Sequence, residues 1–81
     1  MREQLIINSA TIGDYVRKLR QQNGYSQYFM ANAINISQNA YCLLENGRTS
    51  MHVERIVQIA GVFKLEAQEF FIGYFKYVNA S

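Results

Sequence analysis

The residues able to perform covalent chemistry are few and scattered in this chain. Cys42 and His52 are its single cysteine and single histidine, and they fall on different predicted helices. No second thiol or imidazole completes a metal-ligand set, and there is no glycine-rich phosphate loop or nucleophile elbow. No resolving cysteine exists, so we interpret Cys42 as a small packing residue. The sequence therefore predicts a protein that is not an enzyme and that binds no metal or other cofactor.

Composition predicts one small helical domain. Hydrophobic residues make up 49% of the 81 residues and aromatic residues 14%, which argues against disorder. Proline is absent and glycine is scarce, as is typical of an all-α fold. The lone cysteine cannot form an internal disulfide, and the apolar run at residues 5–7 is too short for a signal or membrane segment. These features predict a cytoplasmic protein without a membrane partner.

The charge is small but unevenly distributed. The net charge is +2, and the sequence pI is about 8.9, so charge alone does not identify a nucleic-acid binder. Between Arg17 and Arg48, however, Glu45 is the single acidic residue, whereas other acids collect in the C-terminal half. A basic face around the middle of the chain supports attraction to phosphates.

Apolar spacing of three and four residues divides the chain into five predicted helices. Residues 1–10 lack this spacing and are predicted to form an N-terminal arm, followed by one domain over residues 11–78. We predict helices from Thr11 to before Gly24, over 26–33, over 37–44, after a cap at Ser50, and from about Leu65 to Tyr77. The predicted inward residues are Ile12, Tyr15, Val16, Leu19, Phe29, Met30, either Ala33 or Ile34, Tyr41, Leu44, Val53, Ile56, Val57, Ala60 and Phe63. Arg17 and Lys18 fall on the solvent face of the first helix.

The second and third helices lie close together in sequence and carry start and stop signals. Ser26 and Ser37 each precede an apolar-periodic run, so each side chain can accept a hydrogen bond from a free backbone N–H. Asn35 lies between the runs and enters the left-handed conformation at little cost, and Gly47 follows the second run. Two short helices joined by a tight turn are the geometry that presents a helix to the DNA major groove.

This segment resembles the lambda-repressor-like helix-turn-helix domains, also called the Cro or XRE family. The resemblance covers about residues 12–71. It rests on Ser26-Gln27, Ala31, Asn35, Ile36-Ser37-Gln38 and Leu44-Glu45-Asn46-Gly47-Arg48-Thr49. Two residues depart from the family pattern, since Lys64 stands at a turn position usually occupied by glycine, and Glu66 replaces a small polar cap. The resemblance implies a compact five-helix, all-α DNA-binding domain.

Residues on the third helix match the family's base-reading positions. These are Gln38, Asn39, Ala40 and Leu43. Glutamine and asparagine can each make two hydrogen bonds to adenine, and a leucine can contact a thymine methyl group. The resemblance therefore implies a DNA site with A·T pairs at the positions that are read; the alternative is that Gln38 and Asn39 are solvated surface amides.

The resemblance also implies phosphate contacts and one structural ion pair. The positions matched to phosphate contacts are Gln27, Ser37, Asn46, Arg48 and Thr49. For Asn46 a left-handed turn before Gly47 is the simpler alternative, and Thr49 could equally cap a helix. In the family, Arg20 and Glu45 form a partly buried pair that joins the first helix to the end of the third.

A second apolar row is predicted on the last helix. Phe71, Phe75 and Val78 are spaced by four and three residues and have no obvious partner within the chain. Such rows mark interaction surfaces, so we interpret this one as a homodimer interface. The alternative is that the last helix folds back and buries the row in its own core.

Together these features imply a DNA-binding transcriptional regulator. The expected partner is double-stranded DNA, bound by a homodimer on a two-fold operator, with repression as the expected outcome. The alternative from another class is a protein-interaction module, such as an antitoxin that neutralises a toxin or a domain that binds a co-regulator, with DNA binding secondary.

Overall fold

A computed structural model describes residues 8–80, which fold into five α-helices with no strand among them. The helices are α1 (Ser9–Gln22), α2 (Gln27–Ala33), α3 (Gln38–Glu45), α4 (Val53–Val62) and α5 (Ala67–Asn79). The predicted all-α, five-helix architecture is confirmed. Most of the predicted N-terminal arm lies outside the described residues.

Short polar side chains define where the first three helices begin. Ser26 Oγ accepts from the Phe29 N–H at 2.9 Å, and Ser37 Oγ accepts from the Ala40 N–H at 3.0 Å, as predicted. In α1, Asn8 Oδ1 accepts from the backbone N–H of the third helical residue at 2.9 Å. This cap starts α1 at Ser9, two residues before the predicted start.

The starts of α4 and α5 differ from the predictions. Ser50 does not cap α4, because the helix begins at Val53 and His52 occupies the capping position without a side-chain hydrogen bond. Helix α5 begins at Ala67 and not near Leu65. Its start is a capping box formed by Glu66 and Glu69. The Glu66 side chain accepts a hydrogen bond from the Glu69 backbone N–H, and Glu69 Oε1 accepts one from the Glu66 backbone N–H at 2.8 Å. Glu66 thus caps the N-terminus of α5 in place of a small polar residue.

Helices α1 to α4 all end in one backbone motif. A residue with positive φ follows each helix: Gly24 (71°), Asn35 (62°), Gly47 (75°) and Lys64 (63°). In each case two backbone N–H groups bond back to the last turn, as when those of Gly24 and Tyr25 donate to carbonyl oxygens of α1. Asn35 adopts the predicted left-handed turn. The departure at Lys64 therefore leaves the turn geometry unchanged.

The hydrophobic core takes side chains from all five helices. Its buried members are Ile12, Tyr15, Val16, Met30, Ala31, Ile34, Tyr41, Ile56, Ile59, Ala60, Phe70 and Tyr74. Three inward predictions were wrong, since Phe29, Val53 and Val57 are 45%, 66% and 48% exposed. Other residues of α2 and α4 fill the inward faces, so these three side chains lie on the flanks of their helices. Phe29 instead packs its ring against Tyr25, with centroids 4.4 Å apart.

A close approach of α1 to the end of α3 positions the candidate site. Gly13 is buried, and a Cβ atom added there would lie 2.5 Å from the backbone oxygen of Glu45. Any larger residue would push the helices apart. The missing side chain therefore lets the next two turns of α1 bring Arg17 and Arg20 against the C-terminus of α3.

Helix α5 packs on the same helix, α1. The Tyr15 ring meets Phe70 and Tyr74 edge-on, with centroids 5.2 and 5.7 Å away. The Tyr74 hydroxyl lies 2.7 Å from the Thr11 hydroxyl. Helix α1 is thus the central element, holding α3 on one side and α5 on another.

Candidate nucleic-acid interface

Helix α3 divides cleanly into a buried and an exposed face. Tyr41 and Leu44 are 0% and 5% exposed and anchor the helix in the protein. Gln38 and Asn39 are exposed, and Leu43 is 37% exposed. Ala40, between them, is half-buried. Three of the four predicted base-reading side chains are therefore accessible, and the methyl of the fourth lies at the edge of that surface.

The carboxylate of Glu45, which is fully buried, gathers donors from three helices. Arg20 of α1 donates from Nε to Oε2 at 2.6 Å and from Nη2 to Oε1 at 3.2 Å. Tyr41 of α3 donates its hydroxyl to Oε2 at 2.5 Å, and Gln27 of α2 donates to Oε1 at 3.1 Å. The side chain of Arg20 is itself only 13% exposed. These bonds join the start of α2, the end of α3 and the last turn of α1.

The hydrogen bonds keep this buried carboxylate ionised. Burial alone raises the pKa of Glu45, but the bonds from Arg20, Tyr41 and Gln27 outweigh it and hold that pKa below its usual value. The pKa of Arg20 is raised, chiefly by its bond to Glu45. Burial, and then the bond to Glu45, raises the pKa of the Tyr41 hydroxyl, which therefore stays protonated as a donor.

Arg17 also contacts the C-terminal end of α3, a contact that the sequence did not predict. Its Nη2 donates to Asn46 Oδ1 at 2.8 Å and to the Glu45 backbone oxygen at 3.4 Å. Its Nε lies 3.4 Å from Glu45 Oε1, and its Nη1 lies 3.4 Å from Asp14 Oδ1. Helical periodicity placed Arg17 on the solvent face, and no local pattern could reveal partners on α3.

The predicted phosphate-contact residues lie at the ends of α2 and α3. Gln27 is half-buried and bonded to Glu45, whereas Ser37 is exposed and caps α3. Asn46 is exposed and held by Arg17. Arg48 and Thr49, in the loop after α3, are exposed to solvent. All five therefore belong to helix ends or to the loop beside them.

A groove of about 260 Å³ runs between α3 and the loop that leads to α4. Ala40 and Leu43 line one wall, and Thr49, His52 and Arg55 line the other. The last two residues belong to the start of α4 and were not among the predicted site residues. The position of Arg55 in the first turn of a helix that follows the motif is the one sequence signal that could have pointed to it.

The predicted dimer residues on α5 have partners within the chain, contrary to expectation. Phe71 and Phe75 are half-buried against the core and stack on each other, with centroids 6.3 Å apart. Val78 is 37% exposed and borders a groove of about 650 Å³ between α1 and α5. The row is therefore partly taken up by the protein's own core, as the alternative interpretation held, and its outer edges remain accessible.

Two further features of residues 8–80 are negative. No three histidine, cysteine, aspartate or glutamate side chains in that range are grouped to hold a metal ion. No helix within the same range has the length and apolar character needed to cross a membrane.

The paired helices α2 and α3, joined through the turn at Asn35 and followed by a closing loop, define a helix-turn-helix domain. A helix-turn-helix family model of the Cro/C1 type matches residues 16–70. The chain belongs to this family, and it is a DNA-binding regulator of that class.

Comparison with solved structures supports the fold independently. The chain resembles the crystal structure of the clp gene regulator ClgR from C. glutamicum, with a TM-score of 0.77 and 18% sequence identity. The similarity covers 90% of this chain and 95% of that one. A search of curated proteins found no match.

Proposed function

We propose that this protein binds a specific double-stranded DNA sequence as a homodimer on a two-fold operator and acts as a transcriptional repressor. The main observation in support of this proposal is that one face of α3 is apolar and buried, whereas Gln38, Asn39 and Leu43 on the other face are accessible. A helix anchored in this way can enter the major groove without losing its own packing.

Base reading rests on the chemistry of the exposed face. The amides of Gln38 and Asn39 each offer a donor and an acceptor, which match adenine N7 and N6. Leu43 offers apolar area to a thymine methyl group, and the half-buried Ala40 leaves room for a base edge beside it. The preferred operator half-site therefore contains A·T pairs where α3 enters the groove.

Phosphate contacts fix the position of the helix on the duplex. Arg48 and Thr49 in the exposed loop after α3 supply a charge and a hydroxyl, and the starts of α2 and α3 offer N–H groups beside Gln27 and Ser37. Arg55 extends the basic surface along the groove beside Leu43. These contacts provide affinity that does not depend on sequence.

Homodimerisation through α5 gives the operator its symmetry. Phe71, Phe75 and Val78 lie along one flank of that helix, and a two-fold axis there would bury the same row on both subunits. Two copies of α3 would then face half-sites about one DNA turn, or ~34 Å, apart. A dimer bound across a promoter excludes other proteins from it. ClgR, which shares this fold, is a regulator of clp genes, and this agrees with such a role.

Selection from random-sequence DNA at several salt concentrations tests this proposal. We expect recovery of a two-fold sequence with A·T pairs in each half, and an affinity that falls steeply as salt rises. Binding that never discriminates among sequences, or no binding even at low salt, would reject the proposal.

Two substitutions separate base reading from phosphate contact. Gln38→Ala should cost ~1–3 kcal/mol on the selected site and relax its sequence preference, because it removes a base-specific contact. Arg48→Ala should weaken binding similarly on all sequences and lower the salt slope by about one. Fluorescence anisotropy on specific and random duplexes measures both effects. Equal losses on both duplexes for Gln38→Ala would exclude it as a base reader.

A protein-interaction module remains the second candidate, favoured by exposed apolar side chains away from the core. Tyr28 on α2, Val53 on α4 and Ile72 on α5 are 63%, 66% and 56% exposed. A partner protein such as a toxin or co-regulator would cover side chains of this kind. If the protein bound DNA only weakly and without sequence preference, this function would replace the first.

A further inference from the structure

The side-chain amide of Asn46 is held in one orientation by Arg17. A guanidinium group only donates hydrogen bonds, whereas an asparagine amide has an acceptor oxygen at one end and an amino group at the other. Arg17 Nη2 lies 2.8 Å from Asn46 Oδ1, so the oxygen of the amide faces α1. The amino group must then point away from Arg17.

That orientation is the one a phosphate requires. Phosphate oxygens only accept hydrogen bonds, so an asparagine can contact them only through its amino group. One N–H of Asn46 points to Cys42 Sγ at 3.4 Å, and a thiol sulfur is a weak acceptor. The second N–H remains for a group outside the protein, on an exposed side chain that follows α3 directly.

The charge of Arg17 is already engaged within the protein. Its guanidinium lies 3.4 Å from Asp14 Oδ1 and 3.4 Å from Glu45 Oε1, and its side chain is only 34% exposed. A group with two acidic partners is poorly placed to serve as a free phosphate anchor. Its contact with Asn46 is shorter than either of these ion pairs.

We infer that Arg17 is a positioning residue for DNA binding, which orients the Asn46 amide so that its amino group donates to a backbone phosphate. The inference rests on the proposed DNA-binding function and assigns a role within it to a residue on α1. Arg17 acts through Asn46 and not by touching the DNA.

A double-mutant cycle tests this role. The selected operator duplex is titrated with the full-length wild type, Arg17→Met, Asn46→Ala and the double variant, at a temperature where circular dichroism shows each one folded. Arg17→Met should weaken binding by about tenfold, the size expected for one hydrogen bond to a charged group. In the Asn46→Ala background the same change should cost nothing further, because its target is gone.

Lys18→Met is the matched control. It removes one positive charge from the neighbouring position of α1, where the side chain is exposed and lies over the Tyr77 ring 5.9 Å from its centroid. We expect its effect on affinity to be small and the same in the presence and absence of Asn46. A loss equal to that of Arg17→Met would mean that only charge matters, and the inference would be wrong.

Other results also decide the matter. Additive losses in the cycle, with a salt slope reduced by about one for Arg17→Met, would show that Arg17 neutralises a phosphate itself. A variant that melts earlier but binds normally when folded would reduce Arg17 to a structural role. Failure of the wild type to bind any duplex would reject the proposed function, whereas an additive cycle rejects only the inference.

The wild type gives a test that does not depend on the folding of a variant. In ¹⁵N-resolved NMR spectra, the side-chain amide resonances of Asn46 should shift when the operator duplex is added, since one N–H passes from water to phosphate. Resonances unchanged at saturation would overturn the inference.

Discussion

At the scale of single residues, Glu45 determines how α2 and α3 are held against α1. A buried carboxylate without partners would cost several kcal/mol, and here every helix that contacts it supplies a donor. Arg20 neutralises it, Tyr41 and Gln27 complete its hydrogen bonds, and no polar side-chain atom buried among residues 8–80 lacks a partner. The two carboxylate oxygens of Glu45 thereby connect the start of α2, the end of α3 and α1.

Removing Arg20 should therefore destabilise the whole fold. Arg20→Ala leaves the Glu45 carboxylate buried and without its closest cation, 2.6 Å away, which costs about 3–5 kcal/mol. Lys18→Ala, at an exposed position, should change stability by less than about 0.5 kcal/mol. Urea unfolding followed by circular dichroism measures both.

Arg17→Ala should lower the free energy of unfolding by more than Lys18→Ala and by less than Arg20→Ala. From sequence, Arg17 was expected to behave like its exposed neighbour, but it also bonds to the end of α3. If all three variants shifted the urea midpoint alike, Arg20 would have to be interpreted as a surface residue.

The same carboxylate should make stability depend on acid. The pKa of Glu45 in the fold lies below its usual value of about 4.5, so the unfolded chain takes up this proton more readily than the folded one. Stability from Glu45 is present above that usual value and is lost as the pH falls through the lowered pKa of the fold. Glu45→Gln should be less stable than the wild type at neutral pH, yet lose less stability between about pH 5 and about pH 3.

Urea midpoints measured across this range for both proteins check the pH prediction. A second conservative change, Glu69→Gln, serves as a control, because its side chain is exposed at the start of α5. Parallel pH profiles for the wild type and Glu45→Gln would contradict the lowered pKa.

At the scale of secondary-structure elements, one C-terminal motif sets the directions of four helices. Gly24, Asn35 and Gly47 adopt positive φ at little or modest cost. Lys64 adopts the same conformation with a Cβ atom, which costs roughly 1–2 kcal/mol. The turn between α4 and α5 is therefore the one where side chain and backbone conflict.

Relieving this conflict should stabilise the protein. Lys64→Gly should raise the free energy of unfolding by up to about 1 kcal/mol, the gain from relieved strain being partly offset by the greater entropy of an unfolded glycine. Lys64→Ala removes the same charge and keeps the strain, so it should give no such gain. Urea unfolding of the two variants separates the two contributions, and equal midpoints would show that backbone strain at Lys64 is negligible.

At the scale of the whole molecule, α5 must serve both the core and the proposed dimer. Phe70 and Tyr74 are fully buried, whereas Phe71 and Phe75 on the neighbouring flank are only half-buried. Part of the apolar row is thus already buried within a single subunit. The dimer would gain only the outer edges of these rings and the side chains beside them, so we expect association to depend on concentration.

A charge in this row should separate the subunits. Phe75→Glu should give a folded monomer with much weaker operator affinity, because two carboxylates would meet across the two-fold axis. Analytical ultracentrifugation and DNA titration measure both effects, after melting has confirmed that the variant folds. Ile72→Glu places the same charge on the exposed side of α5 and should remain dimeric. A dimeric Phe75→Glu, or a wild type that stays monomeric when concentrated, would move the interface elsewhere.

The sequence by itself determined the elements and the class of protein. The serine caps, the left-handed turn at Asn35 and the apolar spacing are local signals, and local backbone energetics are enough to place α2 and α3. The closing residues after α3, in register with these signals, pointed to the helix-turn-helix family. Local signals were weakest at the start of α4. Ser50 resembles an N-cap residue, but His52 occupies the N-cap position.

Only the tertiary structure decided which side chains meet. Tyr41 lies on the same helix as Glu45, but the other donors, Arg20 and Gln27, come from helices distant in sequence. Family resemblance, and not residue spacing, therefore suggested the pair with Arg20, and neither could reveal the contact between Arg17 and Asn46. The positions of Phe29 and Val57 fit the apolar periodicity of their helices, but periodicity does not show whether a side chain points into the core or lies beside it. The packing of neighbouring helices leaves both side chains about half exposed. Helical periodicity specifies a face, but burial depends on what lies opposite it.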